Sequence, residues 1–279
     1  MKNILITGAT GNVGSAILQH YKPAAKTTLY KASRSKNLQP DELYFDFEDL
    51  ENSHAALLKT DILFLLRPPH ISDVDKYIAP LIQACVEEKV QHIVFLSVQG
   101  ADKVSVIPHA KIEKLILQSG LAYTSIRPSY FMQNLSTTLL PDIQNKKQIF
   151  LPAGDARFLW VDVNDIGKAI ARVLENPEKH QQKSYNITGS ELINFYDVAA
   201  MLSAVAGKEI KYICPNLLRF YLQKRREKVS PAFIMVMMLL HYLPRLQQEP
   251  EISSDFEILT GEKPKTLKQF IAEHKKLWQ

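Results

Sequence analysis

Short, near-continuous apolar runs alternate with longer stretches in which apolar residues recur every three or four positions. Lys2 to Thr7 ("KNILIT") reads as a strand, and from Asn12 the apolar positions Val13, Ala16 and Ile17 read as one face of a helix. "TTLYKAS", "ELYFDF", "DILFLL", "QHIVFLS" and "AYTSIRP" follow as strands, separated by the helical stretches "HAALLK", "DVDKYIAPLIQACVEEK" and "HAKIEKLILQSG". Strands without polar alternation suit a parallel sheet covered on both faces. The order therefore predicts an α/β fold, a doubly wound parallel sheet. From about residue 130 the alternation loosens. "QIFLPAG" and "RFLWVDV" read as short strands, "NDIGKAIARVLEN" and "FYDVAAMLSAVAG" as helices. We expect a sheet domain over 1–150 and a small lobe over 151–279, some of whose elements return to the sheet domain.

Composition narrows the class without choosing a function. With 279 residues, 46% hydrophobic and 23% charged, and a formal net charge of +5, the chain reads as an ordinary globular protein that does not demand nucleic acid. Cys85 and Cys214 stand far apart with no metal-ligand spacing, so neither a disulfide framework nor a metal site is expected. The N-terminal apolar run is too short for a signal peptide, which points to a cytoplasmic protein. "SPAFIMVMMLLHYLPRL" (230–246) is interrupted by His241 and Pro244 and falls short of the roughly 20 apolar residues that span a bilayer. It reads as a buried helix or a lid over an apolar ligand, with Met235, Met237 and Met238 as packing groups and no membrane partner.

The turn after the first strand carries the first chemistry. Gly8, Gly11 and Gly14 in "GATGNVG" bare the backbone at the start of a helix, where N–H groups and the positive dipole end suit a phosphate. In a sheet of this kind ligands lie beyond the carboxyl ends of the strands. The second strand ends in "ASRSK", where Ser33 and Arg34 occupy the place that an acidic residue takes in NAD binders. An arginine there accommodates the 2′-phosphate, so NADP(H) is expected ahead of NAD(H). At the third strand end Asp46 either accepts the adenine amino group, with Phe47 as an apolar wall, or caps the next segment. Arg67 and Pro68 leave the fourth strand beside the pyrophosphate, Ser97 and Gln99 the fifth near the nicotinamide. Tyr130 and Phe131 follow the sixth, bordering the substrate.

Together, "GATGNVG", "ASRS", "FLLRPP", "HIVFLSVQG", "IPHAKIEKLILQSGLAYTSIRPSYFMQNL", "WVDVNDIG", "YNITGSE" and "LTGEKPKTLKQFIAEH" resemble the NmrA-like family of atypical short-chain dehydrogenases/reductases. That group includes NADPH-dependent quinone, azo-dye and triphenylmethane reductases, and redox sensors that bind dinucleotide without known turnover. The resemblance implies a Rossmann core with a small C-terminal substrate lobe. It implies cofactor roles for Gly8, Thr10, Gly11, Asn12, Val13, Arg34, Asp46 and Arg67. The Tyr-x-x-x-Lys pair of typical short-chain dehydrogenases is absent, which weighs against alcohol oxidation and sugar epimerisation.

In the ether-reductase branch a catalytic lysine opens the helix after the fifth strand; here His109 takes that place, with Lys111 two residues on. At 100° per residue, His109 shares the stripe of Ile112, Leu115 and Ile116, whereas Lys111 and Lys114 face the other way. Glu113, one turn on, is expected to bond the His109 ring and fix its tautomer. His109 is thus read either as the proton donor of the reaction, with Ser97 and Tyr130 as further catalytic candidates, or as a helix-start residue without a chemical task. The expected activity is NADPH-dependent hydride transfer to a small, conjugated, electron-poor molecule of quinone or azo type; a homodimer is allowed. The alternative is a dinucleotide-binding sensor acting through a protein partner, for which exposed apolar residues around Leu217 to Tyr221 would be the mark.

Overall fold

The computed structural model describes residues 2–23 and 26–279. Its first half alternates as the apolar pattern predicts: β1 (Lys2–Ile6), α1 (Asn12–His20), β2 (Thr27–Ser33), β3 (Glu42–Tyr44), α2 (Leu50–Leu58), β4 (Ile62–Leu65), α3 (Val74–Glu87), β5 (His92–Leu96), α4 (Pro108–Gln118) and β6 (Ala122–Pro128). Then come β7 (Tyr130–Phe131), α5 (Leu140–Lys146), β8 (Gln148–Phe150), β9 (Arg157–Val161), α6 (Val163–Glu175), β10 (Lys183–Ile187), β11 (Leu192–Asn194) and α7 (Phe195–Ala206). The chain closes with β12 (Lys211–Ile213), α8 (Leu217–Arg226), α9 (Pro231–Tyr242), α10 (Asp255–Thr260), α11 (Leu267–Glu273) and α12 (Lys275–Trp278).

Two compact units share these elements. The first comprises 1–129, 163–187 and 254–263; the second 130–162, 188–253 and 264–279. The first division thus falls at Ser129/Tyr130 rather than at residue 150. Pro128 ends β6, and the next residues, β7, pair with β9 in the second unit.

The first unit holds a seven-stranded sheet in the order β10-β6-β5-β4-β1-β2-β3, and every pairing in it is parallel. The order reverses between β1 and β4, the switch point at which such sheets take their ligands. Every residue of β4 and β5 is buried, which is why these strands carry no polar alternation. Leu63, Leu65, Ile93 and Phe95 pack with Ile78, Leu81 and Ile82 of α3 and Ile112 and Ile116 of α4 on one face. On the other, α6 lies against α1. Gly167 makes that contact possible: a Cβ there would stand 2.4 Å from Ala16 Cβ and 2.6 Å from Ala16 C.

The second unit is built on a core of aromatic side chains around two small sheets, β11-β9-β7 and β12-β8. Tyr130, Phe158, Trp160, Phe195 and His241 meet edge-on or tilted, with ring centroids 4.7 to 6.5 Å apart.

Each unit buries one neutral histidine. In the first, the Thr124 hydroxyl donates to His180 O at 2.7 Å, so its oxygen is left to accept from His92 Nε2 at 2.9 Å, and His92 Nδ1 has no partner. In the second, His241 Nδ1 donates to Met237 O at 2.6 Å and Nε2 accepts from the Tyr130 hydroxyl at 2.8 Å. Burial pushes both imidazoles down from 6.5 to about 4.

Two outcomes follow. Gly167→Ala should lower stability by about 1–3 kcal/mol in urea denaturation, through overpacking against α1, and adding Ala16→Gly should recover part of that loss. Because the unfolded chain takes up protons near the ordinary value while buried His92 and His241 resist until about 4, stability should be full above pH 6.5 and fall as pH drops towards 4. The loss should reach the order of 3 kcal/mol per histidine. Denaturation midpoints across that range check it: the acid loss should shrink in His92→Gln.

Candidate functional site

The candidate groups of the first unit stand along the carboxyl ends of its strands. After β1, Thr7 ties the turn to β4. Its hydroxyl donates to Phe64 O at 2.9 Å and accepts from Leu66 N at 2.7 Å. Gly8 then takes φ +66°, the left-handed region that suits glycine, and Gly11 N closes the turn on Gly8 O at 3.0 Å. Gly14 is pressed against that turn: a Cβ there would lie 2.2 Å from Gly8 O and 2.6 Å from Ala9 Cα. Gly11 is different. It has an extended conformation, and a Cβ on it would meet only Gly8 O, at 3.3 Å. Thr10, Gly11 and Asn12 are exposed, while Val13 is buried beneath them. No side chain caps α1 and no acidic residue enters its first turn, so the helix N-terminus is open to an anion.

Towards the β3 edge, Ser33 ends β2 and Arg34 stands exposed after it, with no carboxylate paired to it among the described residues. Ser35 N donates to Ser33 Oγ at 3.2 Å, tightening this turn. Asp46 is half-buried, and its Oδ1 accepts from Glu48 N at 3.0 Å. It does not cap α2; Asp49 does, its side chain accepting from Asn52 N. Phe47 is a core residue, edge-on to Phe45 at 5.1 Å between centroids.

Towards the β6 edge, the Arg67 guanidinium folds over its own loop. Nη1 donates to Pro68 O at 3.0 Å and to Ile71 O, while Nε is buried without a partner. Pro68 is half-buried beside it. No carboxylate pairs with Arg67 among the described residues, and burial pulls its pKa below the ordinary guanidinium value. Ser97, just past β5, is buried with its hydroxyl unpartnered, and so is the Ser129 hydroxyl just past β6. Gln99 N donates to Pro128 O at 2.9 Å, joining the two strand exits.

His109 sits in the first turn of α4, half-buried and stacked on Phe95 at 6.1 Å between centroids and 29° between planes. Lys111 and Lys114 are exposed, as the helical stripe predicts. Burial, with the positive charge of Arg67 second, pushes His109 down from 6.5 to about 4. The imidazole is therefore neutral at physiological pH, an N–H donor rather than a charged acid.

The expected Glu113–His109 bond does not form. Glu113 instead receives Arg127 Nε at 3.0 Å and Nη2 at 2.6 Å, and Arg127 Nη1 reaches Asp102 at 3.1 Å. A guanidinium at the end of β6 offers the carboxylate a bidentate pair, which outcompetes a neutral ring. Sequence reading missed Arg127, although the "IRP" at the strand end was a signal. It missed Ser129 too, two residues on.

Tyr130 belongs to the second unit. It is 8% exposed, its hydroxyl serves His241, and burial raises its pKa. Among the described residues no group of three or more His, Cys, Asp or Glu is arranged to hold a metal ion.

Known proteins share this fold and align along most of this sequence. The chain is 27% identical over 282 residues to prestalk A differentiation protein A of Dictyostelium discoideum, covering 97% of this chain and 92% of that one. It is 30% identical over 224 residues to the NAD(P)H azoreductase of Xenophilus azovorans, 77% of each chain. The Citrobacter sp. triphenylmethane reductase, solved in complex with NADP(H), shares the fold with a TM-score of 0.83 at 23% identity, over 98% of this chain and 99% of that one. Residues 1–220 match the NmrA-like family as a whole, and this chain belongs to that family.

Proposed function

We propose that this chain is an NADPH-dependent reductase that delivers hydride to a conjugated, electron-poor small molecule of quinone or azo type. The observation that carries the reading is a run of unsatisfied groups along one sheet edge. The open start of α1, the orphaned Arg67 Nε and the buried, unpartnered Ser97 and Ser129 hydroxyls all end strands of the same sheet. Native structures rarely leave buried polar groups unmatched without a ligand or water to satisfy them. The names of the azoreductase and triphenylmethane reductase relatives point the same way.

A dinucleotide fits these residues. Its pyrophosphate suits the turn from Gly8 through Thr10, Gly11, Asn12 and Val13, where Gly11 leaves the approach clear. Ser33 and Arg34 suit a 2′-phosphate, and Asp46, with one oxygen held by Glu48, offers the other to an adenine amino group. Arg67 and Pro68 lie at the exit of β4, where a half-buried cation with no paired carboxylate favours an anionic ligand. When bound, the cofactor supplies the hydride, as nicotinamide cofactors do.

The chain's own task is orientation and charge. Ser97 presents a hydroxyl whose hydrogen bonds are all still to be made. His109, neutral and stacked on Phe95, offers an N–H to the oxygen or nitrogen on which negative charge builds. The proton itself comes from solvent water, since the neutral ring has none to release and acts only as a hydrogen-bond donor. Arg67 adds a fixed positive charge close by. Lys111, exposed, has no part in this. Tyr130 we assign to the packing of the second unit, where its hydroxyl keeps His241 satisfied.

A second reading has an observation in its favour. Leu218 and Leu222 are exposed on α8, though Leu217 and Tyr221 are half-buried and Phe220 is buried. A sensor would bind the dinucleotide and leave it unchanged.

An NADPH-oxidation assay with quinones and azo dyes separates the two: turnover supports the reductase, and tight binding without consumption supports the sensor. Arg34→Asp should invert the preference for NADPH over NADH, removing a charge-assisted contact worth roughly 10- to 100-fold in affinity. Gly11→Val should abolish binding in a chain whose circular dichroism stays native, whereas equal wild-type affinity for the two cofactors would overturn the 2′-phosphate assignment.

His109→Ala should lower kcat by about 10²-fold or more with an azo acceptor, whose nitrogen must take a proton, and by less with a quinone. Lys111→Ala should behave as wild type with both. The wild-type kcat profile should show no inflection from His109 at its ordinary 6.5, because the ring titrates only near 4. Steady-state kinetics of the three proteins across pH tests all of this.

A further inference from the structure

We propose that the α8–α9 face of the second unit binds an anionic phospholipid bilayer, with both helices lying in the plane of the interface. The inference stands apart from the reductase reading and holds whether or not the chain turns over NADPH.

It begins with an inversion of the usual helix. The sequence 230–246 reads as a buried helix or a lid over an apolar ligand, yet the structure buries only the stripe of Ile234, Met237 and His241. The opposite face carries Phe233, Met235, Val236, Leu239, Leu240 and Leu243, each between 40 and 55% exposed. His241, one residue before the helix end, points inward, and the exposed face from Phe233 to Leu240 is apolar. A helix apolar on every side belongs in a core or in lipid. Placing Met235 outside also removes the packing role expected for it.

On α8 the inward residues are Phe220 and Lys224, so the outward face centres on Leu222 and Leu218. Arginines flank these leucines. Arg219 and Arg226 lie on one side and Arg225 on the other, all exposed. Lys228 follows the helix and Arg245 follows α9, and none of the five pairs with a carboxylate among the described residues. The other cation of the segment, Lys224, is buried and consumed by Asp142 at 2.7 Å and Glu227 at 2.8 Å.

Charge decides the occupant. From Leu217 to Leu246 six Lys or Arg stand against the single acid Glu227, so this segment carries a net +5, the same as the formal net charge of the whole chain. The next acid, Glu249, already pairs with Arg157. A second copy docked face to face would set these arginines against their own equivalents. An anionic bilayer complements both features at once: apolar side chains enter the acyl boundary while Lys and Arg, on long stems, meet the headgroups. Among the described residues no helix is long and apolar enough to cross a membrane. At ~1.5 Å per residue the 12-residue α9 is about 18 Å long against a hydrocarbon thickness of about 30 Å, so it lies on the bilayer rather than spans it.

Vesicle flotation tests the proposal with purified full-length chain. The protein should float with vesicles of phosphatidylcholine containing phosphatidylserine, stay behind with phosphatidylcholine alone, and dissociate as salt is raised. Val236→Asp with Leu239→Asp should abolish flotation. Arg225→Gln with Arg226→Gln should lower partitioning roughly 30-fold, and the control Lys114→Gln, on another element, should leave it unchanged. If the aspartate pair fails to fold by circular dichroism, the glutamine pair decides alone. Absence of binding to either vesicle, equal binding to both, or flotation indifferent to Arg225 and Arg226 would overturn the proposal. So would sedimentation velocity showing a dimer that the aspartate pair splits, since the face would then belong to a second copy.

Discussion

Helix α1 is held by two backbone-close contacts, and the candidate site depends on them. At its first turn Gly14 meets the Gly8–Ala9 backbone; along its flank Ala16 meets Gly167 of α6. Neither contact has room for one more methyl group. Close-packed interiors transmit such constraints rather than absorb them. The first contact presses the helix start onto the end of β1, and the second fixes its rotation. Together they fix the start of α1, with the uncapped N–H groups of residues 12–14, beside the end of β1, next to the switch point between β1 and β4. The three glycines of "GATGNVG" are thus three different devices: a left-handed turn at Gly8, a clear approach at Gly11 and a packing contact at Gly14.

The electrostatics of the strand ends follow from burial more than from pairing. Arg67 is half-buried without a carboxylate, and its charge, added to desolvation, keeps His109 neutral. The acids of this region are occupied elsewhere: Glu113 and Asp102 by Arg127, one oxygen of Asp46 by Glu48. What remains is one fixed cation, a neutral imidazole and two hydroxyls with bonds to spare. Such a set favours ligands that bring negative charge or acquire it, and it holds little capacity to deprotonate anything.

Much of this was legible in the sequence. The strands of the sheet are apolar because both faces are covered, and the glycine spacing, the arginine after β2 and the outward turn of Lys111 need only local geometry. What was not legible depended on partners distant in the chain. Glu113 stands one turn from His109, but the competitor that captures it, Arg127, comes from a neighbouring strand, and nothing local ranks the two. The division at Ser129 was hidden because β7 is two residues long and is defined only by its pairing with β9. Apolarity predicts burial and cannot by itself report an apolar surface left open, so α9 read as a buried helix or a lid. Asp46 and Asp49 are equivalent caps on paper; the backbone path chose Asp49.

The interleaving of the two units has a consequence for synthesis. When the ribosome has released the first 150 residues, β6 is still an open edge, because its partner β10 ends at Ile187, and α1 has no covering helix until α6 has followed. The last segment of the first unit, 254–263, arrives after most of the second has been made. Neither unit is a cassette that one cut can excise, and a gene shortened at residue 150 would encode a sheet with an unsatisfied flank. The nascent chain must therefore hold its nucleotide-binding half unfinished while it emerges, a stage at which a holding chaperone has its best opportunity to act.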